Sequence, residues 1–252
     1  LKNTSSTVSY EIIIADDVST DETRNIKNLV KNVKVVRNKE NLGFLRNCNN
    51  AAKSARGKYI LFLNNDTRVQ KGWLKSLIDT FGLDEKIGMV GSKLVYPDGK
   101  LQEAGGVIRK NGLGINFGGG MDSDLPEFNY LKEVDYVSGA SMILTRKLWD
   151  EVEGFSLDYD FAYYEDVDLA FKIRDKGYKV VYQPKSVVVH FEGVSHGDTE
   201  GRGLKKYQLE NRKRFYMKWV DTLKKESCKN DLDLFWARDR SRDKKTILVI
   251  DH

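Results

Sequence analysis

Three short apolar runs, each followed by polar residues and then by a stretch of helical periodicity, constrain this chain more than any other feature. The first, YEIIIA at 10–15, is bounded by Asp16 and Asp17, and its length and isoleucine content suit a buried strand. Val33, Val35 and Val36 mark a second strand and YILFL at 59–63 a third. Between the first two, Ser19 with Glu22 three residues on reads as a capping box that opens a helix to about Lys31. Between the second and third, Leu45, Cys48, Ala51, Ala52 and Ala55 fall on one helical face, with Gly57 closing the helix. A further helix carries Trp73, Leu74, Leu77, Ile78 and Phe81. Strand and helix in alternation predict an α/β fold whose parallel sheet is covered on both faces. Ligands of such sheets bind beyond the carboxyl ends of the strands, where Asp16, Asp17 and Asp66 all fall.

The second half is patterned differently. Pro97-Asp98-Gly99 predicts a hairpin turn, and the glycine-rich stretch 105–120 reads as a mobile loop or as a set of tight turns. Strands are expected at 134–144, 179–182 and 187–191, continuing the sheet in mixed directions, with a helix over 166–176 ended by Gly177. A helix over 204–225 carries Tyr207, Phe215, Tyr216 and Trp219 among basic residues, 230–244 reads as a linker, and ILVIDH at the end reads as a fresh strand. The expected domains are 1–203, a helical extension 204–229, and 230–252 as a linker with the start of a following domain.

Composition narrows the function classes. No run of about 18 apolar residues occurs, as a membrane-spanning helix would need, and the 31% of charged residues is balanced by 40% apolar ones, so a globular chain is expected. A net charge of +5, with lysines mixed among acids, does not call for nucleic acid. Cys48 and Cys228 form no C-x-x-C pair, which argues against a zinc site or a disulfide framework. No basic n-region and apolar h-region open the chain, so nothing directs export, and a cytoplasmic location is expected.

Several clusters can carry chemistry. Asn64-Asn65-Asp66 closes the third strand, where Asp66 could ligate a hard dication that neutralises a diphosphate, with the asparagines orienting it; alternatively the segment simply ends a strand in a turn. Asp16 and Asp17 could accept hydrogen bonds from a base or ribose, or serve as helix-start residues. Tyr163-Tyr164-Glu165-Asp166 sets carboxylates beside two rings at a helix start, as a general base next to a sugar-stacking platform or as an ordinary acidic N-terminus. His190, ending SVVVHF, is either a core histidine or an imidazole for the same cation, and His196 and Arg202 lie in the loop after it.

In their order these segments resemble family 2 glycosyltransferases of the GT-A fold. The matching stretches are IIIADDVSTDET, NLGFLRNCNNAAKSARGKYILFLNNDT, VSGASMILTRKLWDEVEGF, YYEDVDLAFKIRDKGYKVVYQP and VVVHFEGVS, covering about residues 10–196. The resemblance implies a Rossmann-like, mostly parallel central sheet flanked by helices, with a C-terminal helical extension. It implies that Asp17 with Asp16 binds the nucleotide base, that Asn41, Gly43 and Asn49 shape the donor pocket with Asn64 and Asn65, and that Asp66 binds Mn²⁺ or Mg²⁺ with His190 as a late ligand. Asp166, paired with Glu165, would be the catalytic base, and Tyr163 and Tyr164 would face the acceptor. The implied reaction is an inverting transfer from a nucleoside-diphosphate sugar to a glycan or lipid-linked acceptor, in bacterial surface polysaccharide synthesis at the inner face of the cell membrane. Two departures stand out. The DxD-like motif has asparagine in place of its first acid, and the strand and helix that open family members before the Asp-Asp strand do not precede it here, as though the N-terminus were cut. ILVIDH resembles the start of a second glycosyltransferase domain.

Two other classes fit part of this pattern. A sugar nucleotidyltransferase also sets acids at strand ends, and a carbohydrate-binding domain could keep the fold without turnover.

Overall fold

A computed structural model of the chain describes residues 3–4, 7–159, 163–191, 204–226 and 234–242, without the side chains of 204–206. The loop of His196 and Arg202, Cys228 and the terminal ILVIDH lie outside the described residues.

The first strands form as the apolar runs predict. β1 (Ile12–Asp16) pairs in parallel with β2 (Val33–Arg37), linked by a 3-10 turn and a short α1 (Ile26–Leu29). The expected Ser19–Glu22 capping box does not form. Ser19 N–H donates to Asp16 Oδ1 instead, and Asp21 caps the turn by accepting from Thr23 N–H. α2 (Gly43–Ala52) then leads to β3 (Tyr59–Leu63), which is followed by β4 (Thr67–Val69) and α3 (Trp73–Thr80).

The main sheet has seven strands. β5 (Ile87–Val95) is joined through the predicted turn at Gly99 to β6 (Leu101–Glu103). The glycine-rich stretch is not a loose loop: it folds into a hairpin of β7 (Gly106–Ile108) and β8 (Gly114–Asn116), with Val107 and Ile108 fully buried. Its glycines allow close packing, since a Cβ on Gly106 would lie 2.0 Å from the Tyr136 ring. The strand expected over 134–144 is broken into β9 (Lys132–Glu133) and β10 (Ser141–Thr145) by an irregular segment whose amides serve side chains, as described below. α4 (Arg146–Glu151) and α5 (Glu165–Asp175) follow. The two strands expected over 179–191 are one, β11 (Lys179–His190), whose register against β5 shifts between Gln183 and Val187. Pro184 lies inside that irregularity, where a residue lacking an N–H is tolerated.

Strand order is β3-β10-β5-β11-β4, with β6 on β5 and β9 on β11. β10 is antiparallel to both β3 and β5, and β5 is parallel to β11, so β3, β5 and β11 all run one way. Both faces are covered, and period-two alternation divides the side chains between them. Met89, Met142, Leu144, Val180 and Tyr182 join the larger core with Phe155 and Phe171, while Val90, Ile143 and Val181 pack under Trp73, Leu74 and Leu77 of α3.

α6 (Leu204–Glu226) belongs to that larger core through Phe215 and Leu223, both fully buried. Its helical dihedrals break at Trp219, whose indole N–H donates to Asp168 Oδ1 at 2.7 Å. The same buried carboxylate accepts from Tyr159 O–H at 2.9 Å and pairs with Lys218 at 3.0 Å. Part of the expected linker is also structured. α7 (Leu234–Ala237) packs Ala237 against Val107, and Arg240 pairs with Asp135 at 2.5 Å. Asp168→Ala would remove the shared acceptor of buried Tyr159, half-buried Trp219 and exposed Lys218, so urea denaturation should show a loss of roughly 2–3 kcal/mol.

Candidate functional site

The carboxyl ends of β1 and β3 and the end of β11 hold the polar groups picked out from the sequence. Asp66 lies in the turn between β3 and β4, and its carbonyl accepts from Phe191 N–H, just past β11. β11 pairs antiparallel with β4 so that His190 stands opposite Thr67. His190 Nε2 consequently lies 3.2 Å from Asp66 Oδ1, both side chains being largely buried. On the other side of the ring, Nδ1 lies 2.9 Å from Gln102 Oε1 of β6. With that oxygen as acceptor, Nδ1 carries the proton and Nε2 turns its lone pair toward the carboxylate. A ring protonated at Nδ1 alone offers Nε2 as a metal ligand beside the carboxylate, while a doubly protonated ring makes an ion pair with Asp66. Adjacent ligands on an ion with bonds of about 2.1 Å sit about 3 Å apart, so the spacing fits. Among the described residues no group of three or more His, Cys, Asp or Glu side chains gathers around a point. The mixed oxygen and nitrogen donors suit Mn²⁺ better than Mg²⁺, which favours oxygen.

The Asp-Asp segment is tightly bound within the protein. Asp16 pairs with Arg37, which also donates to Ser19 O. Burial pushes the Asp16 carboxyl up, but the Ser19 hydrogen bonds and Arg37 outweigh it and hold the pKa below its usual range. Asp17 caps α2: Oδ1 accepts from Leu42 N–H and the Asn38 amide, and Oδ2 accepts from Gly43 N–H. Asn41 Oδ1 also accepts from Gly43 N–H, and Gly43 itself takes a left-handed φ of 73°. Asn49 has both ends of its amide on the backbone of Phe155, so its visible role is to bracket α2 to the segment before α5. Asn64 N–H donates to Ala140 O, and its carbonyl accepts from the Thr67 hydroxyl; Asn65 forms the exposed corner of the turn.

At the start of α5, Asp166 Oδ2 accepts from Gly139 N–H at 2.9 Å and Oδ1 from Val167 N–H at 2.8 Å. Burial raises the Asp166 carboxyl, and these two N–H groups partly offset that rise. Glu165 is buried, its Oε2 has no hydrogen-bond partner among the described residues, and burial together with the charge of Asp166 pushes it up to about 8. The expected pair of stacking rings is corrected to one. Tyr163 is 40% exposed, but the Tyr164 ring packs on Phe215 at 5.3 Å and its hydroxyl donates to Gly112 O. Both tyrosines have positive φ, 77° and 73°, which the sequence does not signal.

Three residues escaped the sequence reading: Gln102 on His190, Tyr136 under Gly106, and Glu103, a buried acid whose Oε1 accepts from Ser138 N–H at 3.0 Å. The sequence around Glu103, LQEAGG, carries no signal of this, since its burial is set by tertiary packing.

Comparison with known proteins places this geometry in context. The O-antigen biosynthesis protein RfbC of Myxococcus xanthus is 32% identical over 58% of this chain and 12% of its own length. An N-acetylglucosaminyl-diphospho-decaprenol L-rhamnosyltransferase of Mycobacterium tuberculosis is 26% identical over 55% of this chain and 48% of its own. The chain thus spans less than half of either relative. Its fold superposes on GalNAc-T7, solved with UDP, GalNAc and Mn²⁺, with a TM-score of 0.67 at 18% identity, covering 85% of this chain and 43% of that one. The likeness bears out the expected GT-A architecture. The family model for glycosyl transferase family 2 matches residues 2–148, and with more than half of its length so matched, the chain belongs to that family.

Proposed function

We propose that this domain transfers a sugar from a nucleoside-diphosphate sugar to a hydroxyl of a glycan or lipid-linked acceptor, by a metal-dependent inverting displacement, in the synthesis of a bacterial surface polysaccharide. The observation that carries the reading is the approach of Asp66 and His190, which are far apart in sequence, to 3.2 Å at the ends of neighbouring strands. Those two side chains would hold the dication, which would offset the charge of the departing diphosphate. Gln102 fixes the imidazole so that Nε2 is the nitrogen offered. Asp16 and Asp17, with Asn41, Gly43, Asn49, Asn64 and Asn65, would form the wall for the nucleotide.

Asp166 would take the proton from the acceptor hydroxyl as that oxygen attacks the anomeric carbon and the bond to the diphosphate breaks. Its raised pKa makes it a stronger base than an exposed aspartate, and Tyr163, 40% exposed beside it, would meet the acceptor sugar. Among the described residues no helix is long and apolar enough to cross a membrane. Leu209 and Met217, exposed on one face of α6 with Lys213 between them, would suit a peripheral contact of the domain with the inner membrane surface. The two relatives, an O-antigen biosynthesis protein and an N-acetylglucosaminyl-diphospho-decaprenol L-rhamnosyltransferase, support this setting.

Asp166→Asn should lower kcat by roughly a thousandfold with donor affinity by calorimetry unchanged; undiminished turnover would remove Asp166 from the role. The wild-type rate should rise with pH through the elevated pKa of Asp166, with an acid limb above the ordinary aspartate range. Asp66→Ala should abolish the gain in donor affinity that Mn²⁺ confers, and a gain of equal size in the variant would disprove the metal assignment. Nucleoside diphosphate is the expected product; release of pyrophosphate would indicate a nucleotidyltransferase, and binding without turnover a carbohydrate-binding domain.

A further inference from the structure

Glu103 is 1% exposed, and the function as stated makes no use of it. Its Oε1 accepts from Ser138 N–H, and its Oε2 has no hydrogen-bond partner among the described residues. The amide following Ser138, that of Gly139, donates to Asp166 Oδ2 at 2.9 Å. Two consecutive N–H groups of one turn are therefore divided between Glu103 and the expected base. The turn is braced internally as well, with Ala140 N–H on Ser138 Oγ and Ser141 N–H on Ser138 O. On its other side, a Cβ at Gly139 would lie 3.6 Å from Asp166 Cβ, at van der Waals contact.

We propose that Glu103 is a positioning residue for Asp166: by holding the Ser138 amide as an uncharged carboxylic acid, it sets the turn that delivers the Gly139 amide to Asp166. The inference rests on the reading of Asp166 as the base. A charged Glu103 would work against that role by placing a second anion beside Asp166. Burial pushes Glu103 up to about 8, with the Ser138 hydrogen bond opposing and the charge of Asp166 reinforcing the rise. The other titratable groups facing it are Tyr136 and Tyr182, both held neutral by burial with pKa values raised above the usual tyrosine range. Two buried glutamates, Glu103 and Glu165, thus each neighbour Asp166, and the environments separate the three carboxyls. Glu103 and Glu165 each keep one oxygen without a donor, whereas both oxygens of Asp166 accept a backbone N–H, so Asp166 is the one favoured as an anion.

The test combines carbon NMR titration of the labelled Asp166 carboxyl with steady-state kinetics on the wild type, Glu103→Gln and Glu103→Ala. Glu103→Gln keeps the accepting oxygen and the neutral charge, so Asp166 should titrate as in the wild type and kcat should stay within about twofold. Glu103→Ala frees the turn, so the Asp166 pKa should rise by about one unit and kcat should fall about tenfold with donor KM unchanged. A downward shift of Asp166 in Glu103→Gln would mean that Glu103 is charged and would overturn the proposal. So would an Asp166 pKa unaltered in Glu103→Ala, even if melting temperature fell. If Glu103→Ala moves the Asp166 pKa while Asp166→Asn stays active, the positioning stands and the assignment of Asp166 as base fails.

Discussion

The pairing of β5 with β11 is the constraint on which the rest of the structure depends. β5 is buried along its whole length, and β11 runs beside it in parallel, with β4 on its other edge at residues 188–190. A parallel neighbour cannot be reached by a tight turn, so the chain between them must cross over, and that crossover carries β6, the β7–β8 hairpin, β10 and α5. Of the groups proposed for the chemistry, Tyr163 and Asp166 lie on this crossover with Gln102, and His190 ends β11, whereas Asp66 follows β3 and must be met from β11. His190 meets Asp66 because the end of β11 pairs with β4 on the edge opposite β5. Gln102 meets His190 because β6 folds back on β5 at Leu94, next to the place where Val188 pairs with the same strand.

How much of this was legible in the sequence follows from the range of each signal. β1, β2, β3 and α2 were legible because they are local: an apolar run or a 3.6-residue face declares itself within ten residues. Asp66 and His190 could be named, but only tertiary pairing fixes their distance. The stretch 105–120 misled because glycine has two readings, freedom or close approach, and only the Tyr136 ring over Gly106 decides between them. Ser19 misled for a related reason: its amide could serve a helix cap or the preceding aspartate, and Asp16 is nearer in the turn. Tyr164 resembled an exposed ring because its burial depends on Phe215, about fifty residues away on α6.

That dependence gives α6 a part in the site. Residues Tyr163 and Tyr164 both hold left-handed dihedrals, at a cost of roughly 1–2 kcal/mol each for side chains with a Cβ. Such a conformation persists only where surrounding contacts over-determine it. Here the Asn211 amide donates to Tyr163 O, Tyr164 O–H donates to Gly112 O, and the ring of Tyr164 lies against Phe215. α6 is in turn fixed to α5 by Asp168, which gathers Lys218, Trp219 and Tyr159. The helix is thus a brace across the strained corner that presents Glu165 and Asp166, rather than an appendage to the sheet.

The acids of the molecule divide by the sign of their contribution to stability. Asp16, held below its usual range by Ser19 and Arg37, stabilises the fold at neutral pH and loses that contribution as pH falls through its lowered pKa. Glu103 does the reverse. With a pKa raised from 4.5 to about 8, the folded state keeps a proton that the unfolded chain has released, so its contribution is full below about 4.5 and disappears as pH rises through about 8. Glu165 follows the same course. Near neutrality the structural acid is fully contributing, while the acids around Asp166 have already given up part of what they contribute at low pH. A carboxyl buried with one oxygen lacking a donor favours its neutral form and so leaves a neighbouring group as the anion, and these two lie beside the expected base while Asp16 lies in an ion pair.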